Sequence, residues 1–124
     1  MKLFTLAEAN EIIPEVRPEL ERLRRLYSRI SDLREGARAA AAASDAGGGM
    51  AGGSSYVAAL FEIGSIISKL TELGIQLKDQ TRGLIDFPSL REGRVVLLCW
   101  QLGEPEKIEW WHETEAGFAG RQPI

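Results

Sequence analysis

The chain has one cysteine, Cys99, and one histidine, His112, and these are the side chains best suited to ligate a metal or exchange a proton. Both lie in VVLLCWQLGEPEKIEWWHE, residues 95–113, together with all three tryptophans, Trp100, Trp110 and Trp111. Two strand-like runs flank a turn-rich segment there, which is a β-hairpin signal. The register depends on the loop at Gly103–Lys107. One register pairs Trp100 with Trp110 and Leu98 with His112. The next pairs Trp100 with Trp111 and makes Cys99 and His112 neighbours. A slip of one residue exchanges the faces of a strand, so the choice decides whether thiol and imidazole meet.

If they meet, Asp86 (held between apolar Ile85 and Phe87), Glu104 or Glu113 is a candidate further ligand. Thiolate, imidazole and carboxylate together can hold zinc, although the metal is not fixed by the sequence. The same cysteine and histidine can instead form a nucleophile–base pair. Near the C-terminus, Gly117, Gly120 and Arg121 offer a backbone nest with a guanidinium fork for an anion, or Arg121 simply closes a salt bridge. Asp86, Cys99, His112, Glu113 and Arg121 are therefore the candidate metal or small-ligand residues, expected between the β-hairpin and the helices. The competing reading is structural: a cysteine inside VVLLCW fills core space, a buried histidine donates to a carbonyl, and Asp86 caps a turn. No CxxC, HExxH or second histidine is present, so no catalytic residue is assigned, no cofactor is expected, and an enzyme is not the leading class.

The positioning elements are mostly helical. Thr5 and Glu8 fit a capping box. Leu6, Ala9, Ile13, Val16, Leu20, Leu23, Tyr27 and Ile30 then repeat at heptad spacing, the stripe of a helix packing on another helix. Pro14 and Pro18 predict a kink or short break in this first helix, residues 1–43. Its arginines alternate with acidic residues and read as a largely paired, solvated face. Residues 44–54 are rich in alanine and glycine and read as a flexible connector. They follow a helix and lack a lysine, so a phosphate-binding loop is excluded. A second helix, 55–82, carries Tyr56, Leu60, Ile63, Ile67, Leu70, Gly74 and Leu77 at heptad spacing. It is the shorter of the two by more than ten residues, so part of the first stripe needs cover from the hairpin module or from a second subunit. Residues 83–124 form that module and a tail.

At 124 residues the chain is one small domain. Charged residues at 27% and hydrophobic ones at 44% are those of a soluble globular protein. The net charge of −3 gives no footprint for nucleic acid. No apolar run approaches the ~20 residues of a membrane span, and a lone cysteine makes no internal disulfide; a cytoplasmic setting is expected.

The ordered set FTLAEANEIIP, GIQLKDQTRGLIDFP, GRVVLLCWQLGE and IEWWHETEAGFAGRQPI resembles a bacterial and archaeal family, domain of unknown function 2203. The resemblance covers nearly everything except the connector, and it implies no activity, cofactor or catalytic residue. The expected fold is α+β, a long antiparallel helical hairpin with a small C-terminal antiparallel β module. The leading expectation for function is a non-enzymatic interaction or scaffold protein that self-associates through its helices, as a homodimer or with another protein partner. The alternative is the metal or small-ligand protein.

Overall fold

In the computed structural model residues 1–43 and 53–124 are described. Helix α1 spans Leu6–Ala43 and α2 spans Gly53–Glu72. Strands follow at Gln76–Asp79 (β1), Leu84–Arg91 (β2), Arg94–Gln101 (β3), Trp110–Glu113 (β4) and Gln122–Pro123 (β5), with a 3-10 turn at Phe118–Gly120. The five strands form one antiparallel sheet in the order β1-β2-β3-β4-β5. The α+β class, with two packed helices and a C-terminal antiparallel module, is as the sequence indicates.

The capping box at the start of α1 is formed in both directions: Glu8 N–H donates to Thr5 Oγ1 at 3.1 Å, and Thr5 N–H donates to Glu8 Oε1 at 2.9 Å. Of the kink or short break expected at Pro14 and Pro18, a break is absent, and α1 runs through both prolines. Spaced by four, the two prolines share the exposed side of the helix. The carbonyls that lose a helical partner there are those of Asn10 and Pro14.

The buried stripe of α1 is Ala9, Ile13, Val16, Leu20, Leu23, Leu26 and Ile30. It belongs to one cluster with Ala59, Ile63, Ile66 and Leu70 of α2 and with Ile85, Phe87, Val96, Leu98, Trp100 and Trp111 of the sheet. The length of α1 that exceeds α2 is thus covered by the sheet of the same chain, and no second subunit is needed to seal it. Across the helix pair, Arg22 grips Glu62 with two bonds of 2.8 Å and Lys69 reaches Glu19 at 2.9 Å.

On α2 the stripe read in the sequence is largely the one used, with Ile63 and Leu70 buried and Tyr56 and Ile67 packed against the same cluster, but it is shifted toward Ala59 and Ile66. Leu60 is exposed, as are Val57 and Phe61, while Ala59 and Ile66 are buried. An apolar helix offers more than one stripe at heptad spacing, and packing chooses between them. The second helix is also shorter than expected. Gly74, at φ +88°, ends it: its N–H donates to the Thr71 carbonyl and that of Ile75 to the Leu70 carbonyl, a Schellman cap in which only glycine fits comfortably. Residues 76–79, expected in the helix, are the first strand. The expected connector at 44–54 falls mainly outside the described residues, and Gly53 and Ser54 already belong to α2.

The dominant hairpin is β2–β3. Its two-residue turn, Glu92-Gly93, has both residues at positive φ (52° and 79°), as a turn that follows the strand twist requires. Pro88 is tolerated because β1 pairs only with residues 84–86 of β2; at Pro88 the strand edge is met instead by Phe4, whose N–H donates to the Pro88 carbonyl at 2.7 Å. The Phe4 ring packs edge-on against Phe87 at 5.2 Å.

Candidate metal centre

The alternation of β2, β3 and β4 sorts their side chains onto two faces. Ile85, Phe87, Val96, Leu98, Trp100 and Trp111 face the helices. Leu84, Asp86, Leu97, Cys99 and His112 take the opposite face, buried beneath the segment that carries Thr114, Gly117 and Phe118. The candidate residues therefore meet on the side of the sheet turned away from the helices, not between sheet and helices as expected.

Neither register read in the sequence is adopted. Cys99 lies opposite Trp110, and His112 opposite Leu97. The loop between β3 and β4 is longer because residues 102–109 serve other contacts. The Trp100 indole N–H donates to the Pro105 carbonyl at 2.8 Å, and the Ile108 N–H donates to Asn10 Oδ1 on α1 at 2.7 Å, placing the Ile108 side chain in the core. Cys99 and His112 still converge, along a diagonal. Asp86, directly across from Cys99 on β2, completes the set.

Asp86, Cys99 and His112 are 1%, 1% and 2% exposed, and one ligand atom from each lies within 4.8 Å of the others. Four-coordinate zinc, with arms of about 2.0–2.3 Å, sets neighbouring ligand atoms some 3.3–3.7 Å apart. His112 Nε2 is already 3.1 and 3.2 Å from the two Asp86 oxygens. Closing the set around an ion asks only for small side-chain adjustments within that 4.8 Å span.

The orientation of His112 is fixed by its other nitrogen, which sits 2.7 Å from the Glu113 carbonyl oxygen. A carbonyl only accepts, so Nδ1 carries the hydrogen. In the neutral ring Nε2 is then a lone pair aimed at a carboxylate, acceptor against acceptor. Something positive must lie between them, an added proton or a cation. A histidine whose Nδ1–H is held by a backbone carbonyl is also the arrangement that presents Nε2 to a metal.

Burial pushes the Cys99 thiol up to about 12, and the neighbouring Asp86 charge adds to the effect. At neutral pH it is a thiol, which is the wrong state for a nucleophile. The nucleophile–base reading loses its chemical basis. A divalent cation would outweigh both causes, since a coordinating thiol gives up its proton.

Of the other two candidates, Glu113 does not enter the cluster with its carboxylate. It projects from the opposite face, paired with Arg94, which holds its carboxyl below the usual range; only its carbonyl serves the site. Arg121 stands one layer out. It grips Glu104 through bonds of 2.7 and 2.8 Å and lies over the rings of Phe118 (4.7 Å) and Trp110 (5.1 Å). Arg82 covers Phe118 too, at 4.3 Å. Arg121 thus acts as a strap on the cover of the site and not as an anion fork.

Asp86, Cys99 and His112 all line a partly open cavity of about 130 Å³, bordered by Leu84, Leu97, Thr114, Phe118 and the exposed Lys78. The sequence reading missed Lys78 because it assigned residue 78 to a helix; Gly74 followed by the alternating IQLKD was the available signal. Among the described residues no helix is long and apolar enough to cross a membrane.

No curated protein and no solved structure matches the chain. Over residues 2–124 its sequence matches the family described as Uncharacterized conserved protein (DUF2203), and the chain belongs to that family.

Proposed function

We propose that this chain binds a divalent transition metal through Asp86, Cys99 and His112, with zinc the best fit to a donor set of one sulfur, one nitrogen and one oxygen. The observation that carries this reading is the pair of facing acceptors, His112 Nε2 and the Asp86 carboxylate, buried with a third ligand atom beside them. A bridging proton would satisfy the histidine and the aspartate, with the Cys99 thiol donating to the same carboxylate, but it would leave the sulfur and the imidazole unlinked. A metal uses all three. Three protein ligands leave one coordination position for water or a ligand, as in zinc sites that do chemistry rather than purely structural ones.

The test is a titration of metal-stripped protein with cobalt(II). One equivalent should produce a thiolate-to-cobalt charge-transfer band and the intense visible bands of four-coordinate cobalt, and Cys99→Ser should abolish the first. Absence of both bands, together with no binding heat for zinc, overturns the reading.

A second reading, self-association as a scaffold, has its own support. Val57, Leu60 and Phe61 are exposed on one side of α2, Phe61 by 80%, and an apolar patch on a helix suits a protein partner. Sedimentation at high micromolar concentration checks it: a dimer that Phe61→Glu dissociates supports the reading, and a strict monomer removes it.

A further inference from the structure

Resting on the metal reading above, we infer that the cavity beside Asp86, Cys99 and His112 is the subsite of a small carboxylate anion, which takes the open coordination position and is held by Lys78.

Three observations lead there. All three metal-ligand candidates line the 130 Å³ cavity, so the position they leave open faces it. That volume holds roughly four waters, or an organic acid of acetate or propionate size. The charges then decide the sign of the guest. A thiolate and a carboxylate neutralise a divalent ion, the imidazole adds nothing, and the Lys78 ammonium leaves one positive charge over. Lys78 makes no salt bridge among the described residues. That surplus favours an anionic guest, and Arg82, stacked over the Phe118 wall, adds to it.

The placement of Lys78 is a product of the backbone. Pairing runs Gln76 to Asp86 and Leu77 to Ile85, then skips to Asp79 with Leu84. Lys78 is the extra residue of this bulge, and its side chain comes to the cavity on the same face as Asp86. Strand alternation already favours that face, since Gln76, two residues earlier, pairs with Asp86. The remaining walls, Leu84, Leu97 and Phe118, are apolar and suit a short hydrocarbon tail behind the carboxylate.

Cobalt-loaded full-length protein tests this by the response of its visible bands to acetate, propionate and inorganic phosphate. The expected result is a saturable band shift with the carboxylates, weakened tenfold or more by Lys78→Met while the cobalt bands before ligand addition stay as in the wild type. Unchanged spectra with both carboxylates overturn the inference but leave the metal reading standing, and so does a Lys78→Met variant that binds them as tightly. Tighter binding of phosphate than of either carboxylate overturns the ligand class. Failure to take up cobalt at all removes the metal reading and this inference with it.

Discussion

Replacing Asp86 by asparagine separates the two things that can lie between it and His112. The Asp86 oxygens are 3.1 and 3.2 Å from Nε2, and His112 Nδ1–H is committed to the Glu113 carbonyl. An asparagine amide of the same shape can donate N–H to Nε2 directly, so no added proton is needed. The hydrogen bond is kept and a buried charge is lost, two changes of opposite sign. Without metal, Asp86→Asn should therefore fall within about 1 kcal/mol of the wild type. Asp86→Ala, which strands Nε2 and opens a void, should cost about 2–4 kcal/mol. With zinc the ranking changes. At a concentration a hundredfold above its dissociation constant, the metal adds about 2.7 kcal/mol to the wild type. In a chain of this size that is roughly a 10 °C rise in Tm. Asparagine supplies no anionic ligand and should forfeit most of that rise. The assay is thermal denaturation followed by circular dichroism on chelator-treated protein, with and without zinc. An equal zinc-induced rise in Asp86→Asn refutes the reasoning, as does no rise in the wild type.

Other expectations follow from individual contacts. The unfolded Cys99 thiol ionises near 9.0 and the folded one near 12, so folded and unfolded chains differ in protons bound between those values. The thiol's contribution is complete below pH 9 and is lost as pH rises toward 12. Metal-free wild type should thus lose about 1–1.5 kcal/mol more than Cys99→Ser between pH 8 and 10 in urea unfolding; equal losses would show that the thiol is not held protonated by its surroundings. Gly74→Ala places a Cβ 2.9 Å from that of Lys2 at φ +88° and should cost about 1–3 kcal/mol by the same unfolding measurement. Asn10→Ala removes the acceptor of the Ile108 N–H and should destabilise by about 1–3 kcal/mol, with the tryptophan fluorescence of the β3–β4 loop region reporting the loosened anchor.

Much of the helical architecture was legible because heptad spacing and the Thr5–Glu8 cap are local signals. Gly74 could have been read as a helix stop, but the heptad stripe runs straight through it, and that periodicity concealed the first strand. The Glu92-Gly93 turn was missed because glutamate is a weak marker for a residue at positive φ. For the site, the sequence supplied Asp86, Cys99 and His112 but not how they meet. The diagonal between Cys99 and His112 depends on a loop length set by Asn10 and Ile108, residues far apart in the chain. Glu113 was misjudged for the converse reason. Parity along β4 turns its side chain away once the register is known, and the sequence left the register open.

The unbroken α1 has one more effect. A single rod lends one stretch of its stripe to the sheet and another to α2, so the helix pair and the helix-facing side of the sheet share one interior. Loosening either should unzip the other, and backbone amides from Ala9 to Ile30 on that stripe are expected to exchange with deuterium at one shared rate, as a single cooperative block.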